Sequence, residues 1–301
     1  MNCLISGFEC EHEDREKSMN NCLKLFIVLV AALLAAPCLA GSTSTLTLYD
    51  NFNVSYINPT KWIGQEHESS STYPVLRDTL REIDSNQLHL RAYAWTGQFG
   101  SDAYEYGQNR LNALNLSSAT ALQANVMVKA VQTNGVTDNT QAAVARARIL
   151  GYFFNNIKSP GYSDSDYTGD VFAYVGLARS SSDTTASNVL TVVAAVMQCG
   201  DTQCTAENQT TLASDKTHLG TVKLGQTATL SLQWNATDKQ FSVASTVGKT
   251  KKSYTLTPTG VNYTNSPVDT TKRLDIICTV PDSASQELTM MDAYFDNLYY
   301  Q

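Results

Sequence analysis

Ala228-Thr229-Leu230-Ser231-Leu232-Gln233-Trp234 decides the fold class. A pleated strand places Leu230, Leu232 and Trp234 on one side and Thr229, Ser231 and Gln233 on the other. One apolar and one polar face is the mark of a half-buried strand in an antiparallel sheet. The same period of two recurs from Thr45 to the C-terminus, broken by Gly, Asn, Asp, Ser or Pro, and no stretch carries a sustained helical stripe. Strands are predicted over 45–49, 79–83, 87–95, 121–131, 142–154, 170–179 and 188–198. Further strands are predicted over 220–224, 228–234, 240–245, 252–256, 274–280 and 288–300. With no helices to cover them, such strands need a second sheet, so the expected fold is all-β: an antiparallel sandwich of two sheets.

The N-terminal segment sets the compartment. Residues 20–24 form a short basic region, Leu25 to Ala36 is an unbroken apolar run, and Cys38-Leu39-Ala40 offers small residues before a cut ahead of Gly41. Residues 19–40 therefore read as a signal peptide, and the product as secreted or periplasmic. At about a dozen residues the run is shorter than the roughly 20 that a spanning helix needs, so no membrane span is expected after cleavage. Glu9, Glu11, Glu13, Asp14 and Glu16 precede the basic region and spoil its charge order, so residues 1–18 read as an over-extended start ahead of Met19. Residues 41–301 are then a single β-sandwich domain, undivided by a linker or a repeat.

The full chain carries a net charge of −7, and 23 acidic and 18 basic residues follow the leader. Nucleic acid is therefore a poor partner. In an oxidising exterior, Cys199 and Cys204 of Cys199-Gly200-Asp201-Thr202-Gln203-Cys204 read as a disulfide closing a tight loop, with Cys278 a lone buried thiol.

Tyr49-Asp50-Asn51-Phe52, Ile57-Asn58-Pro59-Thr60-Lys61-Trp62, Ser85-Asn86-Gln87-Leu88-His89-Leu90 and Asp292-Ala293-Tyr294-Phe295-Asp296-Asn297-Leu298-Tyr299 resemble the concanavalin A-like lectin and glucanase superfamily. The resemblance implies a jelly roll whose first and last strands lie side by side. Residues 145–155, Gly169-Asp170-Val171, 199–204 and Leu219-Gly220-Thr221-Val222 are similar to a group of exported bacterial β-sandwich proteins of no established activity.

Glucanases of that superfamily carry a strand with alternating Glu, Asp and Glu. Glu82-Ile83-Asp84 begins in that way, but Ser85-Asn86 follows and the third acid is missing. Glu82 and Asp84 share a strand face and are the candidate catalytic pair of a hydrolase or lyase; the competing reading pairs them with Arg81 or Arg91. No Gly-x-Ser-x-Gly elbow or His-Glu-x-x-His is present.

Binding is the leading expectation. On 142–154, Arg146, Arg148 and Tyr152 project opposite Ala145, Ala147, Ile149 and Phe153. On 87–95, His89, Arg91, Tyr93 and Trp95 project opposite Leu88 and Leu90, and Phe172 and Tyr174 add rings from a third strand. Rings beside guanidinium groups suit carbohydrate, whose C–H faces meet aromatics and whose hydroxyls meet Arg donors. Arg91, Tyr93, Trp95, Arg146, Arg148, Tyr152 and Tyr174 are therefore the candidate ligand residues on one sheet face, for a polysaccharide or cell-surface glycan. The alternative packs them under the 159–169 loop, with the Arg pair neutralised by Asp170, Asp292 or Glu82. Asp164, Asp166 and Asp170 cluster as Ca²⁺ ligands do, although Val175 stands where an EF-hand needs Glu, so no cofactor is expected. The function expected is a secreted, non-catalytic glycan- or surface-binding protein; the alternatives are a polysaccharide-active enzyme and a structural envelope component.

Overall fold

The computed structural model describes residues 45–68, 75–76, 79–96, 104–134, 142–157, 166–205, 208–281 and 288–301. Residues Thr45–Gln301 form one compact unit. Its strands are β1 (Thr47–Asp50), β2 (Trp62–Glu68), β3 (Val75–Leu76), β4 (Thr79–Asp84), β5 (Gln87–Thr96) and β6 (Tyr104–Ala113). Then come β7 (Ala121–Asn134), β8 (Val144–Asn155), β9 (Asp170–Ser180), β10 (Val189–Cys199), β11 (Gln209–Asp215) and β12 (Thr221–Lys223). The last are β13 (Thr227–Asn235), β14 (Gln240–Val247), β15 (Thr250–Leu256), β16 (Lys272–Pro281) and β17 (Leu288–Tyr300).

They form two antiparallel sheets. One has nine described strands in the order β15-β14-β13-β7-β17-β5-β3, with β1 beside β17 and β4 beside β5. The other has eight, β11-β10-β9-β8-β16-β6-β2, with β12 beside β10. Thr47 faces Tyr300 and Leu48 faces Tyr299, so the first and last strands pair as in a jelly roll. Asp50 fastens this corner by accepting a 2.7 Å hydrogen bond from Trp62 Nε1, with Phe52 stacked on the indole.

The interior follows the alternation. Leu88, Leu90, Ala92 and Ala94 of β5 and Leu230 and Leu232 of β13 face Ala145, Ala147 and Ile149 of β8 and Leu274, Ile276 and Cys278 of β16, all buried in one cluster. Cys278 is a buried free thiol, and burial pushes it well above the ordinary range. A register shift on β8 between Tyr152 and Phe154 returns Phe154 to the core, against Trp234 at 5.0 Å between ring centres. No helix among the described residues is long and apolar enough to cross a membrane.

Four strands lie outside the expected set: β2, the two-residue β3, β6 and β11. In β6 the cause is Asn109, polar yet fully buried, which interrupts the apolar alternation. Its Nδ2 donates to the carbonyls of Leu80 (2.7 Å) and Arg91 (3.1 Å), and its Oδ1 accepts from Arg81 Nε and Nη2 at 3.0 and 2.7 Å. Every polar atom of the amide is used, which is what makes its burial affordable.

Lys272, at the end of the sandwich, is a buried cation. Its Nζ donates to the carbonyl of Tyr152 at 2.6 Å and lies 4.8 Å from the centre of the Phe153 ring. Burial, only partly opposed by the charge of Asp269, pushes this amine down to about 8. An unfolded lysine holds its proton to about pH 10.4, so between these values the unfolded state binds more protons and stability rises with pH. Wild type should therefore gain stability relative to Lys272→Met as pH is raised from 7 to 10 in urea unfolding. A difference that stays flat or moves the other way would contradict this.

Candidate functional site

The outer face of the eight-stranded sheet is built by the residues that alternate with the core set. β8 contributes Arg146, Arg148, Leu150 and Tyr152; β16 contributes Arg273, Asp275 and Ile277, with Asp275 opposite Arg148 and Arg273 opposite Leu150. β6 lies on the other side of β16, with Arg110 opposite Asp275 and Asn112 opposite Arg273. β9 adds Phe172 opposite Tyr152 and Tyr174 opposite Leu150.

Arg148 and Asp275 are the centre of this face. Arg148 Nε donates to Asp275 Oδ1 at 2.9 Å and Nη2 to Oδ2 at 2.7 Å, while Gln108 Nε2 adds a 2.9 Å bond to Oδ2. Burial alone would push Asp275 up, but the charge and bonds of Arg148 hold it below the ordinary carboxylate range. The guanidinium also lies 4.9 Å from the centre of the Tyr174 ring. Opposite Arg148 stands Gly176, where a Cβ would fall 2.5 Å from the Ala147 carbonyl oxygen and 2.9 Å from Arg148 Cγ. Glycine is what lets the Arg148 stem lie against β9.

Beside this pair is a cavity of about 320 Å³. Gln108, Arg110, Asn112, Tyr152, Asp269 and Arg273 line it, and the loop residues Gln203, Cys204 and Thr205 form a rim. Arg273 Nη2 bonds Asp269 Oδ2 at 3.0 Å, and its guanidinium lies 5.0 Å from the centre of the Tyr152 ring. Asp269 is held further by Thr271, whose N and Oγ1 donate to Oδ1 at 2.8 and 2.6 Å. Burial pushes the Tyr152 phenol up, against the charge of Arg273. Three buried polar atoms here have no hydrogen-bond partner among the described residues: Arg110 Nε, Arg273 Nε and Asn112 Oδ1. A second cavity, of about 570 Å³, adjoins it across Arg148, Ile277 and Gln209, and is lined by Arg146, Tyr174 and Asp183 among others.

Cys199 and Cys204 form the expected disulfide, which closes the rim between β10 and β11. Asp201 braces the same loop by accepting from the backbone N of Gln203 (3.1 Å) and Thr205 (3.0 Å) and from Asn208 Nδ2 (2.8 Å). Burial pushes Asp201 up, and a hydrogen bond from the Thr205 hydroxyl, together with these bonds, outweighs it to leave the carboxyl low.

The expected single ligand face is two. Arg146, Arg148, Tyr152 and Tyr174 share the outer face just described, but Arg91, Tyr93 and Trp95 belong to β5 of the nine-stranded sheet, on the far side of the core. Alternation within a strand separates its two faces but does not say which sheet the strand joins. The side chain of Trp95 lies outside the described residues. The neutralising partner of Arg148 is Asp275, not Asp170, Asp292 or Glu82.

Glu82 and Asp84 also stand on the nine-stranded sheet. His89 Nδ1 is 3.1 Å from Glu82 Oε1, and its Nε2 is 2.7 Å from Asp292 Oδ1. Asp84 accepts from Tyr294 (2.9 Å) and from Ser85 Oγ (3.0 Å), in that order of effect holding its carboxyl low. Ser85 and Asn86, with φ of 52° and 60°, turn the chain from β4 into β5. Consecutive positive φ values are those of a two-residue hairpin turn, so the position where a glucanase has its third acid is not strand here.

Asp164 lies outside the described residues. Asp166 caps the 168 amide at 2.9 Å. Asp170 is fully buried and accepts from Asn155 Nδ2 (2.7 Å) and from the backbone N of Val268 (3.0 Å) and Asp269 (2.7 Å). Its oxygens pin the segment leading into β16. No group of three His, Cys, Asp or Glu suited to a metal ion occurs among the described residues.

The site residues that sequence reasoning missed are Gln108, Arg110, Asn112, Arg273 and Asp275. A signal was present for two of them: the alternation of Leu274, Ile276 and Cys278 already places Arg273 and Asp275 together on the outer face.

No known protein family matches the sequence, and no curated protein does. Among solved structures, a legume lectin-like domain from Entamoeba histolytica is similar at 8% identity, covering 84% of this chain and 98% of that one, with a TM-score of 0.37. Lectin II from Ulex europaeus is similar at 12% identity, covering 84% and 98%, with a TM-score of 0.31. The VIP36 exoplasmic/lumenal domain, in its metal-free form, is similar at 8% identity, covering 84% and 93%, with a TM-score of 0.34.

Removing one member of a buried ion pair strands the other charge, at a cost of about 3–5 kcal/mol, whereas replacing both by apolar groups is close to neutral. Asp275→Asn should therefore lower unfolding free energy in urea by about that amount, and Arg148→Met with Asp275→Leu should recover most of it. A loss below about 1 kcal/mol for the single change would contradict the central role given to this pair.

Proposed function

We propose that this chain is an exported, non-catalytic jelly-roll protein that binds glycan on the outer face of the eight-stranded sheet, in the cavity lined by Arg110, Asn112, Tyr152 and Arg273. The observation that carries the reading is the set of unsatisfied buried atoms there, two guanidinium Nε donors and one amide Oδ1 acceptor. Buried polar groups are normally paired, and a polyhydroxylated ligand supplies acceptors and donors to such a mixed set. Tyr152 and the second cavity beyond Arg148 extend the surface along which a chain of sugars is accommodated.

The reading as a binding site rather than a cleavage site rests on the carboxylates. Asp275 is fully engaged by Arg148 and Gln108, and Asp269 by Arg273 and Thr271, so neither is placed as a free acid or base. Burial holds Tyr152 in its neutral phenol form. Export is supported by the 19–40 leader pattern and fits the Cys199–Cys204 disulfide.

Retention on insoluble polysaccharides, together with a glycan array, tests the proposal. Wild type should be retained. Asn112→Ala or Arg110→Ala should weaken binding about tenfold, the worth of one well-made polar contact, while Tyr93→Ala on the opposite sheet should leave it unchanged. No retention of wild type, or loss on Tyr93→Ala with none on Asn112→Ala, would overturn it.

A further inference from the structure

We infer that the ligand of this cavity is an acidic sugar whose anionic group sits between Arg110 and Arg273; this rests on the glycan reading above and narrows it to a charge class. Asp275 faces Arg110 in the strand register, which on its own suggests a pair. The carboxylate instead turns to the other neighbour, giving both oxygens to Arg148. Asp269, the acid in the cavity's lining, is committed to Arg273 Nη2 and to Thr271.

Arg110 is left without a carboxylate in ion-pair range among the described residues. Its nearest charged company includes another cation. Burial first, and then the charge of Arg273, push Arg110 down from the ordinary guanidinium range. Arg110 is diagonal to Arg273 across the β6–β16 ladder, since Asn112 is the residue directly opposite Arg273. Diagonal neighbours of this kind stand about 7–8 Å apart at the backbone, a spacing that long side chains bridge.

The lining therefore holds Arg110, Arg148 and Arg273 against Asp269 alone; counting in the fully buried Asp275 that neutralises Arg148 still leaves an excess of one positive charge, in a chain whose net charge is −7. The two cations that repel each other are the two arginines of this cavity whose Nε donors find no acceptor among the described residues. A neutral sugar hydroxyl satisfies a donor but leaves the repulsion in place. An anionic oxygen group between them does both, by charge-assisted bonds of the sort in which arginine outperforms lysine. Asn112 Oδ1, beside them, accepts a hydroxyl of the same sugar residue. A carboxylate and a sulfate ester share this chemistry, so both belong in the test.

The full chain is titrated with polygalacturonate, with its methyl-esterified form, with dextran sulfate and with neutral dextran. Polygalacturonate should bind at least tenfold more tightly than its ester, with affinity falling as salt is raised from 50 to 500 mM, and Arg110→Gln should erase that preference while unfolding at an unchanged midpoint. Binding of dextran sulfate but not polygalacturonate also supports the anion site and makes a sulfate ester its source. Equal binding of acid, ester and neutral polymers overturns the inference and leaves the glycan reading standing. Absence of binding to any of them, and to every neutral glycan on the array, overturns both.

Discussion

The ion pair between Arg148 and Asp275 organises this protein's outer sheet face. A carboxylate with no solvent exposure survives only when its charge is matched and its oxygens are bonded, and here a bidentate guanidinium and the Gln108 amide do both. Each consequence is local and specific. Gly176 must lack a side chain for Arg148 to lie across β9. Tyr174 lies against the Arg148 guanidinium, and the acid that faces Arg110 across the ladder becomes unavailable to it. The open donors of the cavity follow from how the pair is made.

Behind that face, the sandwich obeys a simpler rule. Apolar residues at every second position fill the space between the sheets, and two long cationic side chains also enter, each opposite a glycine. A Cβ on Gly64 would overlap Arg81, and one on Gly151 would meet Lys272 Cδ at 2.4 Å. Arg81 ends on Asn109, and Lys272 on the carbonyl of Tyr152, so a strand residue of the site is tied to the interior by its own backbone. The disulfide and Asp201 do the same for the rim from the other side.

Much of the architecture was legible in the sequence because periodicity reports directly on which face is buried. Leu230 and Leu232 inward with Thr229, Ser231 and Gln233 outward, and Ala145, Ala147 and Ile149 inward with Arg146, Arg148 and Tyr152 outward, need nothing beyond the pleat. The side-by-side terminal strands came from resemblance rather than pattern. Two things were not legible, for physical reasons. β6 carries Gln108, Arg110 and Asn112 of the cavity's polar lining, yet its inward Asn109 breaks the alternation that would mark it as a strand; only the partners Leu80, Arg81 and Arg91, distant in sequence, show why an amide belongs there. The sheet to which a strand belongs depends on long-range pairing, so Arg91 and Tyr93 looked like companions of Arg148 when the whole core separates them.

The cavity on this face is lined by arginines of two kinds, Arg148 satisfied within the protein and Arg110 and Arg273 each with an Nε donor left for a ligand. Nitrogen–proton NMR of the arginine Nε–Hε groups, before and after addition of oligogalacturonate, examines it most directly. The account predicts an Arg148 resonance that is slow to exchange and nearly unmoved, Arg110 and Arg273 resonances that shift and gain protection with ligand, and an Arg91 resonance that does not respond. A fast-exchanging Arg148, or ligand-induced shifts centred on Arg91, would contradict it.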